Sequence, residues 1–191
     1  MFLRFGNDET FSTTAVVNDK GWMGLVDKEK GLEELSIPGT HDSCSEKRTT
    51  CSKNGWVKCQ DHSLETQLNM GVRFFDIRLR HIENKFMIHH GQCYVGYKFG
   101  ADVLNVFKRF LEQNPTEAIL MSYQKEHTDE NNSRKFNETL QWYLDKVWAN
   151  SAMLYTDNIV PKLKDVRKKL VLINKNNQGN CRPGSQSGFG H

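Results

Sequence analysis

Short apolar runs alternate with amphipathic segments along most of this chain, and this alternation restricts the possible folds more than any other feature. The pattern predicts strands at residues 35–37, 74–79, 85–89, 118–123 and 170–173. Apolar residues three and four positions apart predict helices around residues 64–70, 103–111 and 136–148. Strands that alternate with helices favour an α/β fold with a parallel sheet joined by right-handed crossovers.

Composition excludes several classes of protein. The chain has 191 residues, of which 37% are hydrophobic and 10% aromatic, and this is enough apolar material for the core of one globular domain. The net charge of +3 is too small to indicate nucleic-acid binding. No segment approaches the roughly 18 to 20 apolar residues that span a bilayer, and charged residues interrupt positions 1–11. We therefore expect no membrane-spanning segment and no secretion signal in this chain.

The cysteines leave two interpretations open. There are five of them, and Cys44, Cys51 and Cys59 lie close together after the first predicted strand. One disulfide among these three is expected if the protein is secreted, whereas free thiols are expected in a cytosolic protein. The Cys-x2-Cys spacing that is typical of structural zinc sites is absent from the sequence.

Charged and polar side chains stand at the ends of three predicted strands. His41 and Asp42 follow the first strand, Asp76 and Arg78 lie in the second, and His90 follows the third. Because the carboxyl ends of parallel strands share one edge of a sheet, we expect these side chains to converge there. Two imidazoles can serve as base and acid near neutral pH, and a guanidinium suits phosphoryl oxygens. The set predicts phosphodiester cleavage by internal attack. The alternative for Asp76 and Arg78 is a buried ion pair that fixes strand register.

The motifs and their order resemble those of one enzyme family. They are Ser-Ile-Pro-Gly-Thr-His-Asp-Ser at 36–43, Phe-Asp-Ile-Arg at 75–78, His-His-Gly at 89–91 and Met-Ser at 121–122. This ordered set is similar to that of the bacterial phosphatidylinositol-specific phospholipase C family, and the similarity runs from about residue 22 to about residue 174. The resemblance implies a distorted (β/α) barrel of the TIM type with its site at the carboxyl ends of the strands.

The resemblance also implies a role for each of the five residues. His41 would take the proton of the inositol 2-hydroxyl, whose oxygen attacks phosphorus to give a cyclic inositol phosphate. His90 would protonate the departing diacylglycerol oxygen, and Asp42 would pair with His90. Asp76 would orient Arg78, whose planar fork suits phosphate.

Resemblance to the family bears on cofactors as well. The calcium-dependent eukaryotic relatives are expected to carry a metal-binding carboxylate where this chain has Arg78, so we expect no metal and no other cofactor. The alternative is a metal-dependent lipid phosphodiesterase similar to the glycerophosphodiester phosphodiesterases. Its ligands would be His41, Asp42, Asp76, His90 and Glu126.

Substrate contacts are predicted near the ends of the fourth and fifth strands, where the family places lysine or arginine. The aligned positions are Gln124 and Lys175, and Lys125 and Glu126 follow the first of these. The expected substrate is phosphatidylinositol or a glycosylated inositol lipid anchor at a membrane surface. Residues 94–99 with 56–57 would form an apolar rim at that surface, and ordinary packing is the alternative.

Length sets the chain apart from a complete barrel, which takes about 250 residues. We count about five β/α units in this chain. The predicted division is an extension at 1–21, a partial barrel at 22–178 and a polar, glycine-rich tail at 179–191. The units not seen here would carry the family's partner carboxylate for His41. A fragment is the favoured explanation, beside a short member that self-associates through its open edge and a relative that binds lipid or protein without cleavage. The resemblance and the loop cysteines favour a secreted protein, without assigning a compartment.

Overall fold

The computed structural model describes residues 19–46, 51, 57–148, 152–155, 157 and 159–176. The predicted tail at 179–191, Trp56 of the predicted rim and Cys181 lie outside the described residues. The strands are β1 (Gly39–Thr40), β2 (Phe74–Ile82), β3 (Lys85–His90), β4 (Cys93–Lys98), β5 (Ile119–Lys125), β6 (Leu154–Tyr155) and β7 (Leu170–Asn174). The α-helices are α1 (Leu64–Asn69), α2 (Asn105–Gln113), α3 (Phe136–Trp148) and α4 (Leu163–Val166). None of these helices is long and apolar enough to cross a bilayer.

The strands form one mixed sheet in the order β4-β3-β2-β5-β7-β6, and β1 pairs with the start of β2. The pairs β1–β2, β2–β5, β5–β7 and β6–β7 are parallel. Within the described residues the sheet does not close, because its two edge strands, β4 and β6, do not pair with each other. This arrangement is the open, partial α/β barrel that the sequence predicts.

The predicted third strand departs from the parallel arrangement. β3 runs antiparallel to β2, with Leu79 opposite Ile88, and β4, which the sequence pattern did not predict, continues antiparallel beside β3. Glu83 and Asn84 alone connect β2 to β3, and both have positive φ angles, of 49° and 58°. Two residues suffice for a hairpin, whereas a parallel crossover needs a dozen or more. The all-parallel prediction is therefore wrong here.

The first strand is displaced from its predicted position at 35–37. Pro38 has no N–H for a strand ladder, and its carbonyl instead accepts the N–H groups of Arg73 and Phe74. Pairing begins at Gly39. The backbone of this residue lies so close to Phe74 that an added Cβ would be only 3.0 Å from the Phe74 side chain. The strand therefore starts later than its apolar residues suggest.

Each face of the sheet has its own apolar core, because side chains alternate along a strand. Phe75, Ile77 and Leu79 of β2 face the outer core, which helices α1, α2 and α3 cover. The inner core lies on the other face and includes Leu120 and Val171. Met23, from the amino-terminal 3-10 helix Asp19–Leu25, also packs in this core. The inside of the partial barrel is thus filled at the amino ends of its strands.

A buried ion pair joins the amino-terminal segment to the barrel. Arg73 and Glu117 are both fully buried, and the guanidinium lies 2.9 Å from the carboxylate. Arg73 also donates to the backbone carbonyls of Leu68 and Lys20. Every charged group of the pair is therefore compensated, which is the condition for a stable buried ion pair.

The disulfide joins Cys51 to Cys93, with 5.6 Å between the two Cα atoms. The predicted bridge among Cys44, Cys51 and Cys59 is therefore wrong, and Cys44 and Cys59 are free thiols. The physical reason is β4, which the sequence pattern did not predict and which places Cys93 beside Cys51. The bond ties Cys51 to the start of β4.

Removing the charge of Glu117 should strongly destabilise the fold. In Glu117→Gln the Arg73 guanidinium stays buried without its counter-charge, and we expect the free energy of unfolding at pH 7 to fall by about 3 to 5 kcal/mol. Urea denaturation measures this change. The control is Glu29→Gln, which removes exposed ion pairs to Lys162 and Lys164 and should leave the urea midpoint nearly unchanged. Equal shifts in the two variants would contradict the expectation.

Candidate active site

The inner face of the sheet changes from apolar to polar along the strand direction. Strand register places the side chains in three layers: Phe74, Leu120 and Val171, then Asp76, Ser122 and Ile173, then Arg78 and Gln124. Lys175 joins the last layer, because its N–H donates to the Tyr123 carbonyl just after β7. The carboxyl edge of the parallel strands is therefore the charged end of the barrel, as the sequence predicts.

The turn after β1 carries His41 and Asp42 to this edge. Thr40 pairs with Phe75, so the next residues of the turn lie beside Asp76. The Ser43 hydroxyl accepts the N–H of Asp76 at 2.8 Å, and the Ser43 N–H donates to the Asp76 carbonyl. These bonds hold the turn in place against β2.

His41 lies next to a carboxylate that the sequence analysis had assigned to Arg78. Its Nδ1 is 3.2 Å from Oδ2 of Asp76, and its Nε2 is 3.3 Å from Nη2 of Arg78. The His41 side chain is 67% exposed. Asp76 can therefore orient this imidazole while the ring remains open to a substrate.

Asp42 is the buried centre of the cluster. Its Oδ1 lies 2.6 Å from Nε of Arg78, and its Oδ2 lies 3.5 Å from Nδ1 of His90 and 3.5 Å from Nε2 of His41. Burial raises the pKa of the Asp42 carboxyl above its usual value, although the Arg78 guanidinium opposes that shift. One carboxylate thus contacts both histidines and the arginine.

His90 reaches the site through the hairpin. β3 runs antiparallel along β2, and this brings His90, the last residue of β3, back to the level of the barrel edge. There Nδ1 of His90 also lies 3.2 Å from the Val57 carbonyl, and the side chain is 17% exposed. The predicted convergence of His41 and His90 is therefore present in the structure, with a different connection from the predicted one.

Asp76 is held in its ionised form. Burial alone would raise its pKa, but the Asp42 N–H at 3.2 Å and the Lys175 ammonium at 3.1 Å outweigh burial and hold the pKa of Asp76 below its usual value. Arg78 lies 3.5 Å away and adds to the effect. The carboxylate therefore remains charged at neutral pH.

Of the four predicted substrate contacts, three lie at the site and one, Lys125, lies away from it. Gln124 donates to Glu126 at 3.3 Å, Glu126 accepts the Gly91 N–H and lies 3.6 Å from Arg78, and Lys175 contacts Asp76. Lys125 is not brought together with them. Its side chain points to the opposite face of β5 from that of Gln124 and pairs with Asp129 at 2.6 Å.

Cys59 is a site residue that sequence reasoning treated only as a possible disulfide partner. Its Sγ lies 3.9 Å from Oδ2 of Asp42 and 3.8 Å from Nδ1 of His90. Burial, with the Asp42 carboxylate, raises the pKa of this thiol. No local signal in the sequence places Cys59 here, because the contact depends on tertiary packing of Cys59 against the turn after β1 and the end of β3.

The predicted apolar rim is largely packed inside the protein. Val57, Tyr97 and Phe99 are buried, and the Tyr97 hydroxyl donates to the Glu46 carboxylate at 2.7 Å. Tyr94 is 39% exposed. Ordinary packing, the alternative interpretation, describes most of these residues.

The fold and the site together define a partial α/β barrel with two histidines, two aspartates and an arginine at its carboxyl edge. Residues 35–176 match the family described as phosphatidylinositol-specific phospholipase C, X domain. The chain belongs to this family. The resemblance stated from the motifs is thereby confirmed.

Relatives of known name agree with this assignment. The chain is 36% identical over 159 residues to a 1-phosphatidylinositol phosphodiesterase of Staphylococcus aureus, covering 82% of this chain and 51% of the relative. A protein of the same name from Listeria monocytogenes is 32% identical over 170 residues, covering 84% of this chain and 50% of the relative. The chain thus spans about half the length of the curated relatives it matches.

Solved structures confirm the barrel-type fold. A phosphatidylinositol-specific phospholipase C from Staphylococcus aureus superposes with a TM-score of 0.77 at 34% identity, covering 87% of this chain and 56% of that one. The Listeria monocytogenes enzyme gives a TM-score of 0.68 at 31% identity, covering 87% and 62%. A calcium-dependent phospholipase C from Pseudomonas, at 9% identity and a TM-score of 0.57, shares the fold.

Asp42 permits a test that separates charge from backbone conformation. Its φ of 44° lies in the left-handed region, which asparagine tolerates and alanine does not. Because burial penalises the ionised carboxyl, we expect Asp42→Asn to be at least as stable as wild type at pH 7. Asp42→Ala should be less stable than Asp42→Asn by about 1 kcal/mol.

Denaturation at several pH values measures both effects. A raised pKa in the folded state lowers stability as pH rises above the ordinary value of 3.8, so any advantage of Asp42→Asn should vanish below that pH. Equal stability of the two variants would contradict the backbone argument. An Asp42→Asn variant that is less stable than wild type at pH 7 would contradict the burial argument.

Proposed function

We propose that the partial barrel at 22–178 carries the catalytic machinery of a phosphatidylinositol-specific phospholipase C that works without a metal cofactor. The observation that carries the proposal is the position of one Asp42 oxygen within 3.5 Å of both His41 and His90, with Arg78 on the other oxygen. A base, an acid and a phosphate-binding cation therefore meet at one point. The names of the relatives support the same activity.

The geometry suggests how the proton moves. The exposed His41 takes the proton of the inositol 2-hydroxyl, and Asp76 stabilises the imidazolium from Nδ1. The freed oxygen forms a bond to phosphorus while Arg78 neutralises the phosphoryl oxygens. The bond from phosphorus to the diacylglycerol oxygen breaks, and His90, held by Asp42, supplies the proton to that oxygen. The products are diacylglycerol and a cyclic inositol phosphate.

The headgroup is proposed to bind beside the catalytic residues. Gln124, Glu126 and Lys175 offer donors and acceptors suited to inositol hydroxyls, and Lys125 points away from them. The substrate is either phosphatidylinositol or a glycosylated inositol lipid, presented at a membrane surface.

A second candidate function is lipid binding without cleavage. The observation that favours it lies at the predicted headgroup contacts, where Gln124 stands in place of the lysine or arginine that the resemblance implies. Self-association through the edge of β7 is proposed separately. It concerns the part of β7 after Val171. In the described part of the chain, these residues pair with β5 on one side and with no strand on the other.

Loss of either histidine should abolish most turnover. We expect His41→Ala and His90→Ala each to lower the rate of phosphatidylinositol cleavage by roughly 10²- to 10⁴-fold, because each removes one proton-transfer step. The assay uses phosphatidylinositol vesicles in excess chelator, and phosphorus NMR detects the cyclic product. His62→Ala, at an exposed position, is the matched control and should keep the wild-type rate.

Three results would contradict the proposal in different ways. A folded wild-type protein that binds vesicles but yields no product would favour the lipid-binding function. Activity that disappears in chelator and returns with a metal would favour the metal-dependent phosphodiesterase. Equal rates for wild type and both histidine variants would place the chemistry elsewhere.

A further inference from the structure

Three side-chain atoms of the kinds that can bind a metal ion, from distant parts of the chain, form a compact triangle within the proposed catalytic site. Cys59 Sγ lies 3.8 Å from His90 Nδ1 and 3.9 Å from Asp42 Oδ2, and the His90 and Asp42 atoms lie 3.5 Å apart. His41 is a fourth donor. Its Nε2 is 3.5 Å from the same oxygen, and the ligand atoms of His41, Asp42 and Cys59 all lie within 4.8 Å of one another.

The triangle has nearly the size of one face of a tetrahedral zinc site. With metal–sulfur bonds of about 2.3 Å and metal–nitrogen or metal–oxygen bonds of about 2.0 to 2.2 Å, neighbouring ligand atoms lie roughly 3.3 to 3.6 Å apart. A small inward movement of the thiol would therefore complete the geometry. The donor types also fit, because thiolate, imidazole and carboxylate together favour zinc and disfavour calcium or magnesium.

We propose that Cys59, Asp42, His90 and His41 bind Zn²⁺ or a similar thiophilic divalent cation, and that this ion blocks the active site. On binding, the Cys59 thiol releases its proton to solvent and the thiolate forms the metal–sulfur bond. Nδ1 of His90 exchanges its contact with the Val57 carbonyl for the metal, and Nε2 of His41 likewise exchanges its contact with Nη2 of Arg78. The site is therefore inhibitory, and differs from a site that would assist catalysis.

The charges around the triangle are compatible with a divalent ion. The Cys59 thiolate and the Asp42 carboxylate together neutralise two positive charges. Arg78 contacts the other oxygen of Asp42, and it also lies near Asp76 and Glu126, which balance its own charge. An outer partner on a ligating carboxylate commonly orients that ligand towards its metal.

Cobalt spectroscopy tests the site without any reference to catalysis. The metal-free full chain, purified without thiol reductants, is titrated with Co²⁺, which gives a thiolate charge-transfer band only when sulfur is a ligand. We expect the wild type to show this band with one equivalent of Co²⁺, Zn²⁺ to displace it, and excess Ca²⁺ to leave it unchanged. Cys59→Ser should lose the band, whereas Cys44→Ala, which removes the other free thiol in the described residues, should keep it.

The absence of a band in wild type, or a band that survives in Cys59→Ser, would overturn the proposal. A second measurement covers the case in which Cys59→Ser fails to fold. Zinc X-ray absorption on the loaded wild-type protein should show one sulfur at about 2.3 Å together with nitrogen or oxygen ligands. A shell without sulfur would overturn the site.

The inhibitory effect rests on the proposed function, whereas metal binding does not. In the vesicle assay, Zn²⁺ should inhibit wild type and chelator should restore the rate. Cys59→Ser should need at least about tenfold more Zn²⁺ for the same inhibition. A cobalt band in a protein without phosphodiester cleavage would keep the metal site and reject the proposed function. Cleavage unaffected by bound zinc would reject inhibition alone.

Discussion

The arrangement of the site depends on one buried carboxylate, that of Asp76. It accepts the N–H of Asp42, lies 3.2 Å from His41, and pairs with Lys175 beyond the end of β7. Because Asp76 lies near the start of β2, these contacts attach the turn after β1 and the segment after β7 to the same strand. The charge of Asp76 is retained because its partners outweigh the cost of burial. A single side chain thus joins three parallel strands at their functional edge.

Two different kinds of structure supply the two histidines. His41 lies on a short turn that β1 and β2 hold through backbone pairing. His90 lies at the end of a hairpin strand that folds back over the barrel edge. The Cys51–Cys93 disulfide joins the segment that follows His41 to β4, the strand that pairs with β3. The separation of the two histidines is therefore set by covalent and backbone contacts outside their side chains.

The success of sequence reasoning differs from one element to the next. The 136–148 helix and the three central strands agree with prediction to within three residues, because their apolar periodicity reflects burial directly. The third strand was predicted parallel, although its two-residue connection, Glu83 and Asn84, already contained the signal for a hairpin. The disulfide was wrong for the same reason, since Cys93 lies on the strand that this hairpin leads to.

The sequence by itself determined the types of element, the apolar faces and the five residues able to carry phosphodiester chemistry. The resemblance already pairs Asp42 with His90, whereas only the tertiary structure decided the other contacts: Asp76 with His41, Asp42 with Arg78 and His41, and Cys59 with this same cluster. The physical reason is distance along the chain. Periodicity records whether a residue is buried, whereas a side-chain contact depends on the register between segments tens of residues apart, which no local pattern encodes.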